Sequence, residues 1–522
     1  MCGIAAIISA NNKGEAEITS MLNQIKHRGD SLPVHANFQN SFLGIVRLRI
    51  VDIENGIQPF YNEDGSVIVV FNGEIYNYKK LRKELEYNHR FTTDCDTEII
   101  PHLYEEYGTD FIAKLEGMFA FVLYDSKKND FLAIRDFYGV KPLFYTKDYD
   151  TVYFASELKA FQFIDTQEYS ELAPGHYMTS EGIRKYYSIP KCDYISSDEK
   201  TIAKRVRYLL EIAVKKRVNT ELPIAVFMGG GIDSAIVNLL ATKYHPNVTS
   251  IIIGLEDSED VYYGLKLCED FNLKHIYIPI TEQEIINSIP EVIKSIETFE
   301  PNLVRGSVIS NILAKHANLN KFKIVLCGEG SDEIFGGYGD FLSIKTDTEF
   351  QNLLLRYLND LYRTQLQRID RTGMRYSVEV REPFLDRELV EYVLNIPPSL
   401  KVSCLENGEI ATKYILREAF KDLLPEYIYS RQKQTMMDGA GIGEVDKNKG
   451  LLYRNAETSV TDTEFYEYKE LYPEYSLNSK EEVVNFKIYK QFYLKAIFNR
   501  KRVSNAQNEI YREKQYQFEE YV

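Results

Sequence analysis

The second residue of the chain is a cysteine, in the run Met1-Cys2-Gly3-Ile4. Removal of the initiator methionine leaves this thiol beside a free α-amino group. An α-amine has an unperturbed pKa of roughly 7.7–8, so it can act as a general base near neutrality. Thiol and base in one residue make a self-contained activated nucleophile. A second chemical feature is the loop Phe227-Met228-Gly229-Gly230-Gly231-Ile232-Asp233-Ser234, between an apolar strand and a helix. Its glycines let the backbone pass close to a ligand, and a helix start adds free N–H groups and a positive dipole end, a place for phosphate. There is no Gly-Lys-[Ser/Thr], so the loop is not a Walker A. Asp233 and Ser234 are also ordinary N-cap types.

A third loop, Cys327-Gly328-Glu329-Gly330-Ser331-Asp332-Glu333, follows the apolar run Ile324–Leu326. Acidic residues at the C-terminal end of a strand suit Mg²⁺ held by one or two carboxylates together with substrate phosphates. Asp233 and Asp332, at the ends of two strands of one sheet, are candidates to share that metal. Nearer the N-terminus, an Asn amide and a Gly N–H at Asn72-Gly73 can make an oxyanion hole, although Asn-Gly is also a common turn dipeptide. Arg47 and Asp96 are a cation and an anion able to hold the two ends of a free amino acid, or plain surface charges.

The elements that must position these residues fall into two regions. Residues 1–190 read as strand-rich, with strands at Ile4–Ser9, Ser66–Phe71, Met118–Tyr124, Phe131–Arg135 and Tyr153–Ala155 and helical patches at Tyr78–Glu86 and Asp96–Tyr107. The polar stretch Ser188–Glu199 breaks the pattern and ends in Ser196-Ser197-Asp198-Glu199, a capping-box signature; the domain boundary is placed there. Residues 191–522 then alternate strand and helix: Pro223–Phe227, Ser234–Tyr244, Val248–Ile253, Val261–Phe271, His275–Pro279 and Lys323–Leu326. Such alternation predicts a parallel sheet covered by helices. From about Thr348 the pattern is mostly helical. A late helix capped by Ser479 runs to about Phe498, and the polar last twenty or so residues read as loosely attached.

Composition narrows the classes. The 522 residues are 44% hydrophobic and 27% charged, as in an ordinary soluble globular protein, and the length suits two or three domains. A net charge of −15 argues against a nucleic-acid binder. The six scattered cysteines include no C-x-x-C pair, which excludes a zinc ribbon or disulfide framework and suits a reducing cytosol. No apolar run approaches a membrane span. The eight histidines have no H-E-x-x-H or similar spacing, so a protein-held transition metal is not expected.

Together these motifs resemble the glutamine-hydrolysing asparagine synthetases over nearly the whole chain. Cys2-Gly3-Ile4, His27-Arg28-Gly29, Arg47-Leu48, Asn72 to Asn77 and Arg135-Asp136 look like a class II glutamine amidotransferase domain. Gly230 to Ser234, Gly328 to Tyr338, Glu379-Val380-Arg381, Pro383 to Asp386 and Arg431-Gln432-Lys433 resemble an ATP-pyrophosphatase domain. The resemblance implies an α+β N-terminal-nucleophile hydrolase domain in αββα layers, followed by an α/β domain with a parallel sheet and a helical C-terminal part. It implies that Cys2 attacks glutamine, with Asn72 and Gly73 as the oxyanion hole. Arg47 would hold the glutamine carboxylate, and Glu74 and Asp96 its ammonium. Met228, Gly230, Gly231, Asp233, Ser234, Ile253, Cys327, Gly328 and Arg371 would bind ATP, Asp233 and Asp332 Mg²⁺, and Lys433 the α-phosphate. Glu329 would position the adenylate and handle the proton of ammonia, which the family delivers along a sheltered route. A cytoplasmic enzyme, acting on glutamine, ATP and aspartate or another carboxylate, with a homodimer as one possible state and without nucleic acid or membrane, is the expectation.

The sequence also departs from the family. Gly229 and Ala235 depart from S-G-G-x-D-S and the position after it, and Cys327 stands where Ser precedes G-E-G. Asp30 follows Gly29 without the usual Pro, Ile45 replaces a His, and Gly373 and Arg375 flank Met374 in place of S-M-A. A missing Ser hydroxyl removes one neutral hydrogen bond, worth about 0.5–1.5 kcal/mol. Two rival readings follow: an amidotransferase acting on another carboxylate, such as a sugar acid or secondary metabolite, and a non-catalytic nucleotide-binding paralogue. Retention of Cys2, Asp233, Asp332, Glu329 and Lys433 argues against the second.

Overall fold

The computed structural model describes residues 1–8, 14–39, 41–164, 169–190, 192–405, 408–443 and 450–493. The described chain forms two compact units, chiefly Met1–Ser188 with Met374–Val378, and Ile189–Gly373 with Glu379–Phe492. Among the described residues no helix is long and apolar enough to cross a membrane.

In the first unit twelve strands run in chain order: β1 Cys2–Ile8, β2 Val34–Phe38, β3 Ser41–Arg47, β4 Phe60–Tyr61, β5 Val67–Ile75, β6 Gly117–Asp125, β7 Asp130–Arg135, β8 Phe144–Asp148, β9 Thr151–Ala155, β10 Tyr169–Glu171, β11 His176–Thr179 and β12 Gly182–Lys185. They form two six-stranded antiparallel sheets, ordered β10-β8-β9-β1-β3-β2 and β12-β11-β7-β6-β5-β4. Helix α1 (Glu15–Gln24) packs on β1 and β3, these two strands pack on β5, and α3 (Ile99–Tyr107) covers β5 from the other side; α2 (Tyr78–Leu85) packs on α3. The layers are therefore α, β, β, α. Strands β1 and β5 lie between a sheet and a helix, which is why their sequences read as unbroken apolar runs rather than alternating ones.

The second unit holds a parallel sheet ordered β15-β14-β13-β16-β17, from strands β13 Ile224–Phe227, β14 Val248–Gly254, β15 His275–Pro279, β16 Ile324–Leu326 and β17 Glu379–Arg381. The helices that precede or link them include α4 Glu199–Arg217, α5 Ile232–Tyr244 and α6 Glu259–Asp270.

Two readings need correction. β5 continues through Asn72-Gly73-Glu74 to Ile75, so these residues pair with Ala120, Phe119 and Met118 of β6 instead of making a turn. Helix α4 is capped by Asp198 alone, whose carboxylate accepts from Thr201 N at 3.0 Å; the residue three positions on is Thr201, so the reciprocal glutamate of a capping box is missing. The late helix spans Lys480–Phe492. Phe498, the polar tail and Ser9 lie outside the described residues.

Candidate active site

In the first unit one core face leads to the site. Side chains of a strand alternate between faces, so residues two apart share one. Ile4 and Ala6 of β1, Leu43 and Ile45 of β3, and Ile68 and Val70 of β5 form the apolar layer between the sheets, with Cys2 as part of the same cluster. The same alternation puts Arg47 and Asn72 on this face, one step beyond the apolar run. β1 and β3 pair Cys2 directly with Arg47. Three polar or reactive side chains thus close one end of a dry layer.

Cys2 N donates to Asn72 Oδ1 at 2.9 Å. The other end of that amide, Asn72 Nδ2, is buried with no hydrogen-bond partner. An orphaned buried donor is costly, and it is what an oxyanion hole presents before its ligand arrives. Gly73 has no room for a side chain: a Cβ there would lie 2.1 Å from Met118 O. The guanidinium of Arg47 is aimed by the Ile53, Val51 and Asp52 carbonyls, at 3.2, 2.8 and 2.7 Å. Asp96 is buried and its Oδ2 accepts from Ile75 N at 2.9 Å, one residue beyond Glu74, which is also buried. Burial, then Asp96 and Glu74, push the Tyr78 phenol up to about 12.

Beneath Cys2 lies a group that the residue-by-residue reading did not single out. Arg28 Nε donates to Cys2 O at 3.0 Å, and its NH1 to Glu157 at 2.7 Å. Glu157 also meets His27 and Lys159. Burial opposes its ionisation, but Lys159, His27 and Arg28 outweigh it and hold the carboxyl well below the usual range.

In the second unit a cavity of about 770 Å³ opens at the C-terminal ends of the parallel strands, lined among others by Gly229, Gly231, Asp233, Ser234, Gly328, Glu329, Asp332 and Lys433. The N-cap of α5 is Gly231, without a side-chain cap, so Asp233 and Ser234 do not serve the helix as caps. Ser234 Oγ instead donates to Gly231 O at 3.1 Å. Gly230 has φ 65°, and a Cβ there would come within 2.6 Å of Tyr263 Cβ, so only glycine turns this loop.

Asp233 and Asp332 are brought together, and Lys413 bridges them: its Nζ donates to Asp233 and lies 2.7 Å from Asp332 Oδ1. Lys433 reaches the other oxygen of Asp332 at 2.8 Å. Burial would raise the Asp332 carboxyl, but Lys413 and Lys433 bring it down to about 2. Glu329 is paired with Arg368, and the neighbouring Glu333, buried and bonded by Tyr338 OH, is pushed up to about 7 by burial and then by Asp332 and Glu329. Lys413, Arg368 and Glu333 line the cavity and were missed. Glu333 lies in the quoted Gly328–Tyr338 run, where its acidity was the signal; the other two carry no local signal.

Some expected positions stand elsewhere. Arg371 is not part of the cavity wall; its guanidinium is held by Glu297 at 3.3 Å and Asp370 at 2.8 Å. Arg368, about one helical turn earlier, lines the cavity. Met228, Gly230 and Ile253 are buried and do not line it, while Cys327 and Gly328 do. Burial pushes the Cys327 thiol well above its usual range, so it is a neutral lining group. Gly229 is not spare room for a serine: a Cβ there would meet Asp260 Oδ2 at 2.8 Å, and Asp260 is held by Arg431 at 2.9 Å.

A family model described as a glutamine amidotransferase domain matches residues 1–220, and one described as asparagine synthase matches residues 205–345 and 342–474. The chain therefore joins an amidotransferase of α-β-β-α layers to a synthetase built on a parallel sheet. Over 516 residues it is 34% identical to asparagine synthetase [glutamine-hydrolyzing] 3 of Arabidopsis thaliana, covering 95% of this chain and 88% of that protein. It is also 34% identical to the probable asparagine synthetase [glutamine-hydrolyzing] of Dictyostelium discoideum, covering 94% of each chain. The chain belongs to the family of glutamine-hydrolysing asparagine synthetases.

Proposed function

We propose that the chain makes asparagine, the first unit releasing ammonia from glutamine and the second activating aspartate with ATP. The observation that carries this reading is the buried, unpartnered Asn72 Nδ2 beside Cys2, in a chain alignable almost end to end with enzymes of that name. Loss of Met1 converts the Cys2 amide into an α-amine that takes the thiol proton. The thiolate attacks the side-chain carbonyl carbon of glutamine. Asn72 Nδ2 and the Gly73 N–H stabilise the oxyanion, the amine returns its proton to the leaving nitrogen, and ammonia departs. Water then hydrolyses the glutamyl thioester to glutamate. Arg47 holds the substrate carboxylate, and Glu74 and Asp96 its ammonium.

In the second unit the glycine loop, Ser234 and the N-terminus of α5 receive the ATP phosphates. The β-carboxylate of aspartate attacks the α-phosphorus and pyrophosphate leaves. Ammonia then attacks the acyl carbon and AMP leaves, with Glu329 taking the proton and Arg368 orienting Glu329. Lys433 neutralises charge on the α-phosphate. Two carboxylates close enough for one ammonium to bridge are hard oxygen donors suited to Mg²⁺ with phosphates. Asp233 and Asp332 would hold that ion, which supplies charge neutralisation to the pyrophosphate. All six cysteines are free thiols, which fits work in the cytoplasm.

The test is AMP release from purified protein with ATP, Mg²⁺ and ammonium, with and without aspartate, the product identified by mass. Aspartate-stimulated AMP with matching asparagine supports the proposal. No stimulation by aspartate, with stimulation by another carboxylic acid from a panel, reassigns the acceptor.

A further inference from the structure

Outside both sites, the first unit gathers a second set of ligating side chains. Glu63, His89, His102 and Glu105 each offer one atom, and these atoms all lie within 4.8 Å of one another. They come from three segments: the turn between β4 and β5, the chain just after α2, and α3, where His102 and Glu105 are a turn apart. His89 Nδ1 is 3.1 Å from Glu63 and 3.9 Å from Glu105. His102 Nδ1 is 3.2 Å from Glu63 and 3.9 Å from Glu105. A tetrahedral ion with bonds of about 2.0 Å sets its ligand atoms roughly 3.3 Å apart, so Glu63 already stands at that spacing from both histidines and Glu105 must move closer to them.

Two further observations point to a ligand. His102 is 2% exposed, yet its Nδ1 makes no hydrogen bond despite the nearby carboxylate. The outward-facing atoms of the set are already oriented. Glu106 takes the other ring nitrogen of His89 at 3.1 Å, as carboxylates do for metal-bound histidines. Asn62 Nδ2 donates to Glu105 Oε1 at 2.8 Å, and Arg90 N to Glu63 Oε1 at 2.9 Å. Glu105 thus keeps its Oε2 toward both histidines, while Glu63 presents Oε1 to His89 and Oε2 to His102.

We propose that Glu63, His89, His102 and Glu105 form a divalent transition-metal site, with Zn²⁺ as the ion. Two imidazoles and two carboxylates match the ligand types and number of a closed zinc site. The ion ties the 62–65 turn to α3, whose first residue follows the Asp96–Glu98 turn. The expectation of no protein-held transition metal came from spacing along the chain, which cannot register ligands drawn from three segments.

The test uses the full chain, treated with chelator, dialysed and titrated calorimetrically with Zn²⁺ alone, the metal then counted by elemental analysis. One equivalent per chain is expected. Glu106→Gln should weaken binding about 10–100-fold, and His89→Ala and Glu63→Gln at least as much. Circular dichroism and retained glutaminase activity check that the variants are folded. Co²⁺ substitution should give the d–d bands of a tetrahedral nitrogen and oxygen site without a thiolate charge-transfer band. Wild-type protein that takes up no equivalent, unchanged affinity in both ligand variants, or a thiolate band placing the metal on cysteine would each overturn the proposal.

Discussion

The backbone nitrogen of Cys2 and the side-chain oxygen of Asn72 are 2.9 Å apart, although 70 residues separate them in the chain. One amide thus positions the nucleophile with its oxygen and keeps its nitrogen for the oxyanion. Asn72→Ala should lower glutaminase kcat by about 10²–10³-fold, the usual effect of losing one oxyanion donor. Cys2→Ala should abolish glutamate release. In both variants AMP formation with ammonium should continue, since the synthetase residues belong to the other unit. Parallel assays of glutamate and AMP on one preparation check this, and persistent glutaminase in Cys2→Ala would sink the nucleophile assignment.

Asp233→Asn and Asp332→Asn should each remove AMP and pyrophosphate formation while sparing glutaminase. Near-normal AMP formation by either variant at ordinary Mg²⁺ would remove that residue from the metal site. Lys413→Met should act differently. It leaves two half-buried carboxylates facing each other across the cavity without their bridge, which should destabilise the second unit. Added Mg²⁺ should raise its thermal midpoint more than that of the wild type. An equal response would mean that the carboxylate pair does not take the ion.

Glu157 is the buried counter-charge for Arg28 and Lys159 and hydrogen-bonds His27, whose imidazole burial keeps below its usual pKa. Glu157→Gln should destabilise the first unit by about 3–5 kcal/mol, because it strands buried cations. The direction with pH follows from its lowered carboxyl. Its stabilising effect is complete above the ordinary carboxylate range and fades as pH falls through the folded-state value. Urea melts of wild type and variant from neutral to acid pH should therefore converge on acidification. A constant gap would mean that the loss comes from packing and not from charge.

Lys401 is fully buried, its Nζ donating to Ile396 O at 3.0 Å, and burial lowers it to about 7. Below pH 7 folded and unfolded chains both carry the proton, so the burial penalty is felt in full. Between pH 7 and the ordinary lysine range the folded chain has released the proton and unfolding takes one up, so stability rises with pH. Lys401→Met should raise the thermal midpoint of the second unit at pH 6–7. Its advantage should shrink by pH 9–10, a change of roughly 3–5 kcal/mol over the interval. A pH-independent difference between variant and wild type would show that Lys401 stays charged when folded.

What the sequence alone determined is whatever is written within a few adjacent residues. Cys2, the turn-forming Gly230, the acidic loop around Glu329 and Asp332, the strand-rich first domain and the parallel sheet of the second were all legible there, and the layering of the first domain followed from the family resemblance. Glycine torsions, apolar runs and helix starts are local physics. Tertiary structure decided the partners. Strand register set Cys2 against Arg47. The pairing of β5 with β6 carried Asn72 and Gly73 inside a strand, although Asn-Gly locally favours a turn. Lys413 bridges Asp233 and Asp332, Arg368 pairs with Glu329 at the cavity while Arg371 is held by Glu297 and Asp370, and Asp260 fills the space beside Gly229. His89 and His102 meet Glu63 only because α2, α3 and the β4–β5 turn pack together. None of these pairings has a sequence signature, because each depends on which distant segments share a face. That choice is made by burying the whole apolar layer and not by any single residue.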